Sequence, residues 1–453
     1  MNKTIAFVSL GCDKNTVDSE IMLQLLTDHG YTLIKEEEKA KILVVNTCAF
    51  IQDAKEESIN TIIELGEYKK TGACRGLIVT GCLAQRYAKE IFEELPEVDA
   101  VVGTGSYEEI VQVADRVLEG GGEKLSCLRS PDERALTYQK RIVSTVGYYE
   151  YLKIAEGCDH HCTYCIIPKL RGRYRSRPME ELLKEAQDLA DSGVKELIVI
   201  AQDTSRYGID LYGERKLAEL LQKLCAIDGF VWVRVHYLYP DEMSEELIDV
   251  LANEPKIVKY LDIPIQHIND DILRAMNRRG NGEYVKQLLK KLRARIPGLV
   301  IRTSLITGLP GEGEEEFQQL CEFLKEFKLE RAGTFAFSPE EGTKAALMEY
   351  PDKEVAQERA EIIGELQSRI MDEYNASCEG KIMQVLCDGY DRDEDCYYGR
   401  TYADSPDIDG RIWFTSSRHV KTGEFVNVCV VGAYDGELTG MLEEDMEDND
   451  DGE

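Results

Sequence analysis

Short apolar runs and longer amphipathic stretches alternate along the first part of the chain. TIAFVSL (residues 4–10), KILVVN (41–46), GLIVTG (76–81) and VDAVVG (98–103) are rich in Val and Ile, the pattern of strands buried on both faces. Between them, VDSEIMLQLLTDHG (17–30) and AKEESINTIIELGEYKK (54–70) space their apolar residues as a helix does. Strands alternating with helices predict right-handed crossovers and a parallel sheet covered on both sides. The expectation is a doubly wound amino-terminal α/β domain over residues 1–121, ending at the triple glycine of LEGGGEK, and then a polar linker over 122–146.

A second alternating series starts with YYEYLKIAEGC (148–158). It continues through ELIVIAQD, VWVRVHYL, VKYLDIPIQH, LVIRTSLITGLPG and RAGTFAFSP, with helical stretches such as MEELLKEAQDLADSG between. Six strand candidates over 147–375 fit a partial TIM-type α/β barrel, and a full doubly wound sheet nearly as well. After a long helical pattern (352–380), the period changes to short β-rich runs broken by Gly, Asp and Pro, which predicts a small β-barrel over 376–442.

Length supports several domains, because 453 residues exceed one ordinary core. No apolar run approaches a membrane span or a complete signal-peptide core, so the expectation is a cytoplasmic protein with no membrane partner. Fourteen cysteines in such a chain point to metal or redox chemistry in preference to disulfides. The formal net charge of −31 argues against broad affinity for nucleic acid and for basic partners. Residues 443–453, EEDMEDNDDGE, carry eight acids and no base and are expected to form a disordered, solvated tail.

The cysteines fall at the ends of strands. Cys12, Cys48 and Cys82 follow the first three apolar runs in SLGC, VNTC and VTGC, and ligands of open α/β sheets bind beyond the carboxyl ends of the strands. Cys158, Cys162 and Cys165 lie in EGCDHHCTYCIIP, after the first strand of the second series, where a barrel assembles its chemistry. Structural zinc is normally closed by four ligands, and no second pair follows Cys165. The short C-x3-C-x2-C spacing suits an iron-sulfur cluster, and three thiolates on four irons leave one iron open. A zinc site completed by His160 or His161 is the competing arrangement, and for Cys12, Cys48 and Cys82 alone it is buried unliganded thiols.

EGCDHHCTYCIIP resembles the cluster loop of the radical S-adenosylmethionine enzymes. SLGCDKNTVDSE, VNTCAFIQDAKEES and VTGCLAQRY look like the amino-terminal domain of the methylthiotransferases within that group, whose C-terminal barrel is of the TRAM type. RGRYRSRP, AQDTSRYG, YLDIPIQH, RTSLITGLPGE and GRTYADSPDIDGRIWF fit the branch that modifies an aspartate of the twelfth small-subunit ribosomal protein. The resemblance covers about residues 4–442; Ala49 stands where Gly is expected.

The resemblance implies that Cys158, Cys162 and Cys165 hold a radical-generating 4Fe-4S cluster whose open iron binds S-adenosylmethionine. It implies a second 4Fe-4S cluster on Cys12, Cys48 and Cys82. It places Tyr164 against the adenine and directs Gln202 and Arg302 to polar groups of the cosubstrate, each with an ordinary structural role as its alternative. Gly308 and Glu312 complete the cofactor-side set. Their turn, TGLPGE, lacks the Lys and Ser or Thr of a phosphate-binding loop, so a tight turn before a helix is the competing role.

In the implied reaction one S-adenosylmethionine supplies a methyl group to sulfur on the second cluster. Another yields a 5′-deoxyadenosyl radical that removes a hydrogen from the β-carbon of the aspartate, and a reducing electron-transfer protein is implied as partner. The transfer-RNA methylthiotransferases share this architecture, and charge discriminates between the substrates. Residues 379–442 contain twelve acids against six bases, a net of −6, where an RNA-binding barrel needs a basic stripe. A basic ribosomal protein suits that field, and direct RNA binding does not. A non-catalytic, metal-stabilised scaffold that tethers to the ribosome is the third alternative.

Overall fold

The computed structural model describes residues 3–120, 122–134 and 136–446. The chain divides into two compact units, one of residues 1–192, 198–217 and 338–346, the other of 193–197, 218–337 and 347–453.

The first unit opens with a parallel sheet. Its strands are β1 (Thr4–Ser9), β2 (Thr32–Leu33), β3 (Ile42–Thr47), β4 (Gly76–Gly81), β5 (Ala100–Val102) and β6 (Leu125–Cys127), in the order β2-β1-β3-β4-β5-β6. Neighbouring residues of each strand face opposite ways, and both faces are apolar. Leu43, Val45, Leu77 and Val79 pack with Ile62 and Leu65 of α2 (Gln52–Thr71) and Leu83 and Ile91 of α3 (Cys82–Glu94). Ile42, Val44 and Ile78 pack with Met22 and Leu26 of the helix Asp13–Asp28, α1, and with Ile110 and Val113 of Ile110–Glu119, α4. Helices on both faces make the domain doubly wound, and the order reverses between β1 and β3, the place where such sheets bind ligands.

The polar stretch after the triple glycine does not begin a linker at once, because β6 pairs with β5 as the sixth strand. A run of three residues with one exposed Ser offers little periodicity, so LSC does not stand out as a strand in the sequence.

The second sheet contains β7 (Tyr149–Lys153), β10 (Glu196–Ile200), β11 (Trp232–Val235), β12 (Ile257–Asp262), β13 (Val300–Thr307) and β14 (Arg331–Ala336). These are the six expected strands, in the order β14-β13-β12-β11-β10-β7. Each strand follows its sequence neighbour with no reversal, and the pairs β11–β12, β12–β13 and β13–β14 are parallel. Singly wound order is that of a partial barrel, which settles the choice that periodicity leaves open. Two-residue strands β8 (Ala155–Glu156) and β9 (Arg175–Ser176) pair antiparallel around the cysteine loop.

The last strands, β15 (Ile382–Asp391), β16 (Cys396–Arg400), β17 (Ile412–Thr415), β18 (Phe425–Tyr434) and β19 (Glu437–Leu442), close into a five-stranded barrel. Alternate residues, among them Val385, Cys387, Ile412, Phe414, Val426 and Val428, fill its core. Closure leaves no free sheet edge. Of the acidic segment expected to be disordered, Glu443, Glu444 and Asp445 are held in place: Glu443 accepts from Asn427, Glu444 pairs with Arg418 and Asp445 accepts from Ser417. Residues 447–453 lie outside the described residues. Among the described residues no helix is long and apolar enough to cross a membrane.

Candidate metal centres and their surroundings

Both cysteine trios belong to the first unit. Cys12 is the N-cap of α1, three residues past the end of β1; Cys48 follows β3; Cys82 is the first residue of α3, directly after β4. They stand at the carboxyl ends of three adjacent strands, and Cys12 and Cys48 flank the point of order reversal.

Local chemistry holds these loops close. Gly11 has φ +89°, and a Cβ there would lie 2.8 Å from Cys48 Cβ and 2.9 Å from Asn15 Nδ2, so only glycine lets the Cys12 and Cys48 loops meet. Asn15 Nδ2 donates to the carbonyls of Leu10 (2.9 Å) and Thr47 (3.1 Å), tying the residues that precede each loop. The Cys48 amide donates to Ser58 Oγ, which donates to the Ala54 carbonyl.

Burial pushes the Cys48 thiol up to about 12, and charge on Cys12 and Cys82 pushes in the same direction. Burial also raises Cys82, against the opposing pull of the Arg171 guanidinium. A metal guest would take these thiols as thiolates and release their protons.

The second trio sits between β8 and α5 (Ile167–Arg171). Gly157 has φ +76°, and a Cβ there would lie 2.0 Å from the Arg173 carbonyl oxygen, so the turn into Cys158 requires glycine. The Cys158 amide donates to the Gly172 carbonyl (3.1 Å), and the Cys165 amide to the Cys162 carbonyl (3.1 Å). Burial raises the Cys158 thiol, and charges on Cys165, Asp203 and Cys162 add to it. Among the described residues no three His, Cys, Asp or Glu side chains converge on a position for a single metal ion. A cluster does not ask for that, because each thiolate ligates a different iron.

A segment far along the chain packs on this loop. The Ala345 amide donates to the Thr163 carbonyl (2.9 Å), and Lys169 Nζ to the Gly342 carbonyl (2.7 Å). Buried Glu340 takes Lys55 of α2 at 3.0 Å and Arg86 of α3 at 2.6 Å. Residues 338–346 thereby fasten the second cysteine loop to the helices that follow Cys48 and Cys82.

The other expected site residues divide. Tyr164 is half-buried in the cysteine loop. Gln202 Nε2 donates to Glu156 Oε1 (3.1 Å), while its own Oε1 is buried with no hydrogen-bond partner among the described residues. Arg302, Gly308 and Glu312 lie in the second unit. Arg302 Nη1 donates to Asp262 Oδ1 (3.0 Å). Glu312 Oε1 accepts the Gly308 amide and Arg359 Nη1, both at 2.9 Å. At Gly308, φ is +73° and a Cβ would lie 2.3 Å from Ala356 Cβ, so this pair has structural work in the turn.

Sequence reasoning misses the polar surroundings. Asn15, Asp18, Ser19 and Glu20 of α1 are all buried, as are Lys153, Glu156, His160, Arg171 and Asp203. The signal is present in DKNTVDSE: polar residues at helical spacing occupy positions where an apolar face is expected, on the turn directly after Cys12.

Three family models match the chain: "Radical SAM superfamily" over residues 152–324, "Uncharacterized protein family UPF0004" over 4–103 and "TRAM domain" over 380–442. A relative from Lachnoclostridium phytofermentans, named ribosomal protein uS12 methylthiotransferase RimO, is 53% identical over 97% of this chain and 100% of its own. The protein of the same name from Acetivibrio thermocellus is 48% identical over 98% of this chain and 99% of its own. Among solved structures, the radical S-adenosylmethionine methyltransferase TsrM of Kitasatospora setae, with cobalamin and a [4Fe-4S] cluster bound, aligns with a TM-score of 0.56. It covers 74% of this chain and 75% of its own at 14% identity, a likeness of fold alone.

Proposed function

The chain belongs to the RimO family of ribosomal protein uS12 methylthiotransferases, within the radical S-adenosylmethionine superfamily, and from that premise we propose how its residues divide the work. It is a transferase that methylthiolates uS12 and uses S-adenosylmethionine and 4Fe-4S clusters. Cys158, Cys162 and Cys165 hold one cluster, and Cys12, Cys48 and Cys82 hold the other. The observation that carries this is the placement of both trios at strand ends of one compact unit, with a glycine that leaves no room for a Cβ directly before Cys12, Cys82 and Cys158.

The donor sets fit the groups. A cluster with three protein thiolates supplies an iron position to which the amino and carboxylate groups of S-adenosylmethionine attach, and reduction there cleaves the sulfonium. The protein's own share is positional. Gly157 and the Cys158 and Cys165 amides shape the loop, Tyr164 borders the adenine, and Gln202 turns its unpartnered carbonyl oxygen toward the cosubstrate. Arg302 is held by Asp262, and Gly308 and Glu312 shape the turn after β13, which gives these three residues structural roles within their own unit. Positioning counts because a radical reaction near loose side chains or solvent is quenched.

The acceptor is the β-carbon of an aspartate in uS12, and the electron donor is a reducing protein of the cytoplasm. Acidic residues outnumber basic ones two to one in the C-terminal barrel, and three of its bases are already committed: Arg400 to Glu196 and Asp388, Arg411 to Glu437, and Arg418 to Glu424. That leaves little to neutralise phosphates and favours a basic protein over RNA. The domains run from the start through β6, from about 147 to 375, and from 376 to 442.

Anaerobic reconstitution tests the assignment. About eight irons per chain are expected for two such clusters. Replacing Cys158, Cys162 and Cys165 by Ala, or Cys12, Cys48 and Cys82 by Ala, should each remove about half. A native chain that takes up zinc in place of iron and cannot cleave S-adenosylmethionine under a strong reductant contradicts it.

A further inference from the structure

A helix follows each cysteine of the first trio, and each of those helices carries a charged side chain that reaches the segments around Cys158, Cys162 and Cys165. On α1, buried Asp18 pairs with Lys153, which ends β7, and accepts from Arg171 Nη1 of α5 at 2.5 Å. β7 leads into the second cysteine loop through β8, and α5 leaves it. Asn15 of α1 accepts from Arg171 Nη2, and Glu156 of β8 takes Lys153 at 2.8 Å and Arg171 at 3.4 Å, so the four charged side chains form one knot. On α2 the charged residue is Lys55 and on α3 it is Arg86, and both go to Glu340.

Glu340 is 3% exposed, and the segment that carries it is itself bonded to the second cysteine loop and to α5. Arg86 Nη2 donates to the Glu341 carbonyl (2.8 Å) on one side; on the other, the Gly342 carbonyl accepts from Lys169 and the Ala345 amide donates to Thr163. Ile166 and Leu170 also share an apolar core with Ala49, Leu83 and Ala84, and that packing holds the two regions together without any charge. Apolar contact is non-directional, and buried ion pairs return little stability for the desolvation they require. What the carboxylates add is register: one held between two cations by charge-assisted bonds resists the sliding that an apolar face allows.

Resting on the assignment of a cluster to each trio, we propose that Asp18 and Glu340 are positioning residues that set the separation and orientation of the two cluster sites. Cleavage of S-adenosylmethionine calls on the site of Cys158, Cys162 and Cys165 alone, whereas methylthio transfer needs both sites to reach one carbon of the substrate. A displacement of about 1 Å at such a junction is enough to cost on the order of 100-fold in rate. Loosening either carboxylate therefore leaves cleavage in place and uncouples it from transfer.

The test uses the full chain, reconstituted anaerobically, as E340Q and as D18N, replacements that keep the side chain's shape and remove its charge. Each should retain about eight irons and form 5′-deoxyadenosine at the parent's rate, while the 5′-deoxyadenosine formed per methylthiolated uS12 rises about tenfold. A second readout needs no turnover. The electron paramagnetic resonance spectrum of the reduced, doubly loaded parent should depart from the sum of the spectra of chains carrying Ala at one trio or the other, because the two sites interact. That departure should change in E340Q and D18N, while the spectrum of each site in its single-trio background stays as it was. Loaded variants with the parent's product ratio, or a parent spectrum equal to the sum, overturn the inference. If D18N does not fold or loses iron, E340Q decides, because its partners Lys55 and Arg86 are less deeply buried than Lys153 and Arg171; loss of iron in E340Q as well assigns both carboxylates to folding and overturns the inference. A parent chain that holds no iron overturns the cluster assignment itself, and this inference with it.

Discussion

His160 Nε2 lies 2.6 Å from Asp203 Oδ2, both side chains being buried. Asp203 also accepts the Ser205 amide at 3.0 Å. The histidine that stands between Cys158 and Cys162 is thus bonded to the loop after β10 and fixes the cysteine loop through it. H160A is expected to retain about eight irons per chain after anaerobic reconstitution, while losing about 1–3 kcal/mol of stability because Asp203 is left without that partner. Iron analysis and urea unfolding on one preparation check both; a drop toward four irons would make His160 a ligand.

The glycines before each trio give paired predictions. G11A forces a Cβ onto Cys48 and Asn15 at a left-handed φ, and G157A forces one onto the Arg173 carbonyl. Each should cost on the order of 1–3 kcal/mol of local strain and halve the iron, G11A at the first trio and G157A at the second. Spectra of the two loaded variants should be complementary, each lacking the cluster the other keeps.

Glu150 introduces a pH dependence. It is fully buried beside Arg141, which also faces Glu20 and Glu185. Burial is the main cause that pushes its carboxyl up to about 7, opposed by Arg141 and aided by Glu20. The folded form therefore binds this proton more tightly than the unfolded chain does. Its contribution to stability is full below about pH 4.5, falls as pH rises toward 7, and levels off above. E150Q cannot ionise, so it should gain on the order of 1–3 kcal/mol relative to the native chain at pH 8 and little at pH 5. Urea unfolding at both pH values checks this, and equal differences at the two would contradict it.

Much of the fold is legible in the amino-acid sequence. Strands buried on both faces announce themselves as apolar runs, so β1, β3, β4 and all six strands of the second sheet are located by the runs from TIAFVSL to RAGTFAFSP. The six cysteines stand out because strand ends are short, fixed places. Barrel or doubly wound order is not legible, because both use the same local alternation and differ only in which strands pair. β6 is hidden by its three-residue length. The knot of Asp18, Lys153, Glu156 and Arg171 is hidden for another reason: charged residues in DKNTVDSE and RGRYRSRP are ordinarily solvated, and their burial follows from contacts over more than a hundred residues of chain.

The substrate assignment is tested most directly by the intact mass of uS12 purified from cells that carry the gene, lack it, or carry it with Ala at Cys158, Cys162 and Cys165. The methylthio increment should be present on an aspartate only with the native gene, while the modified nucleosides of transfer RNA are the same in all three strains. An unchanged uS12 mass together with a lost transfer-RNA modification would contradict it.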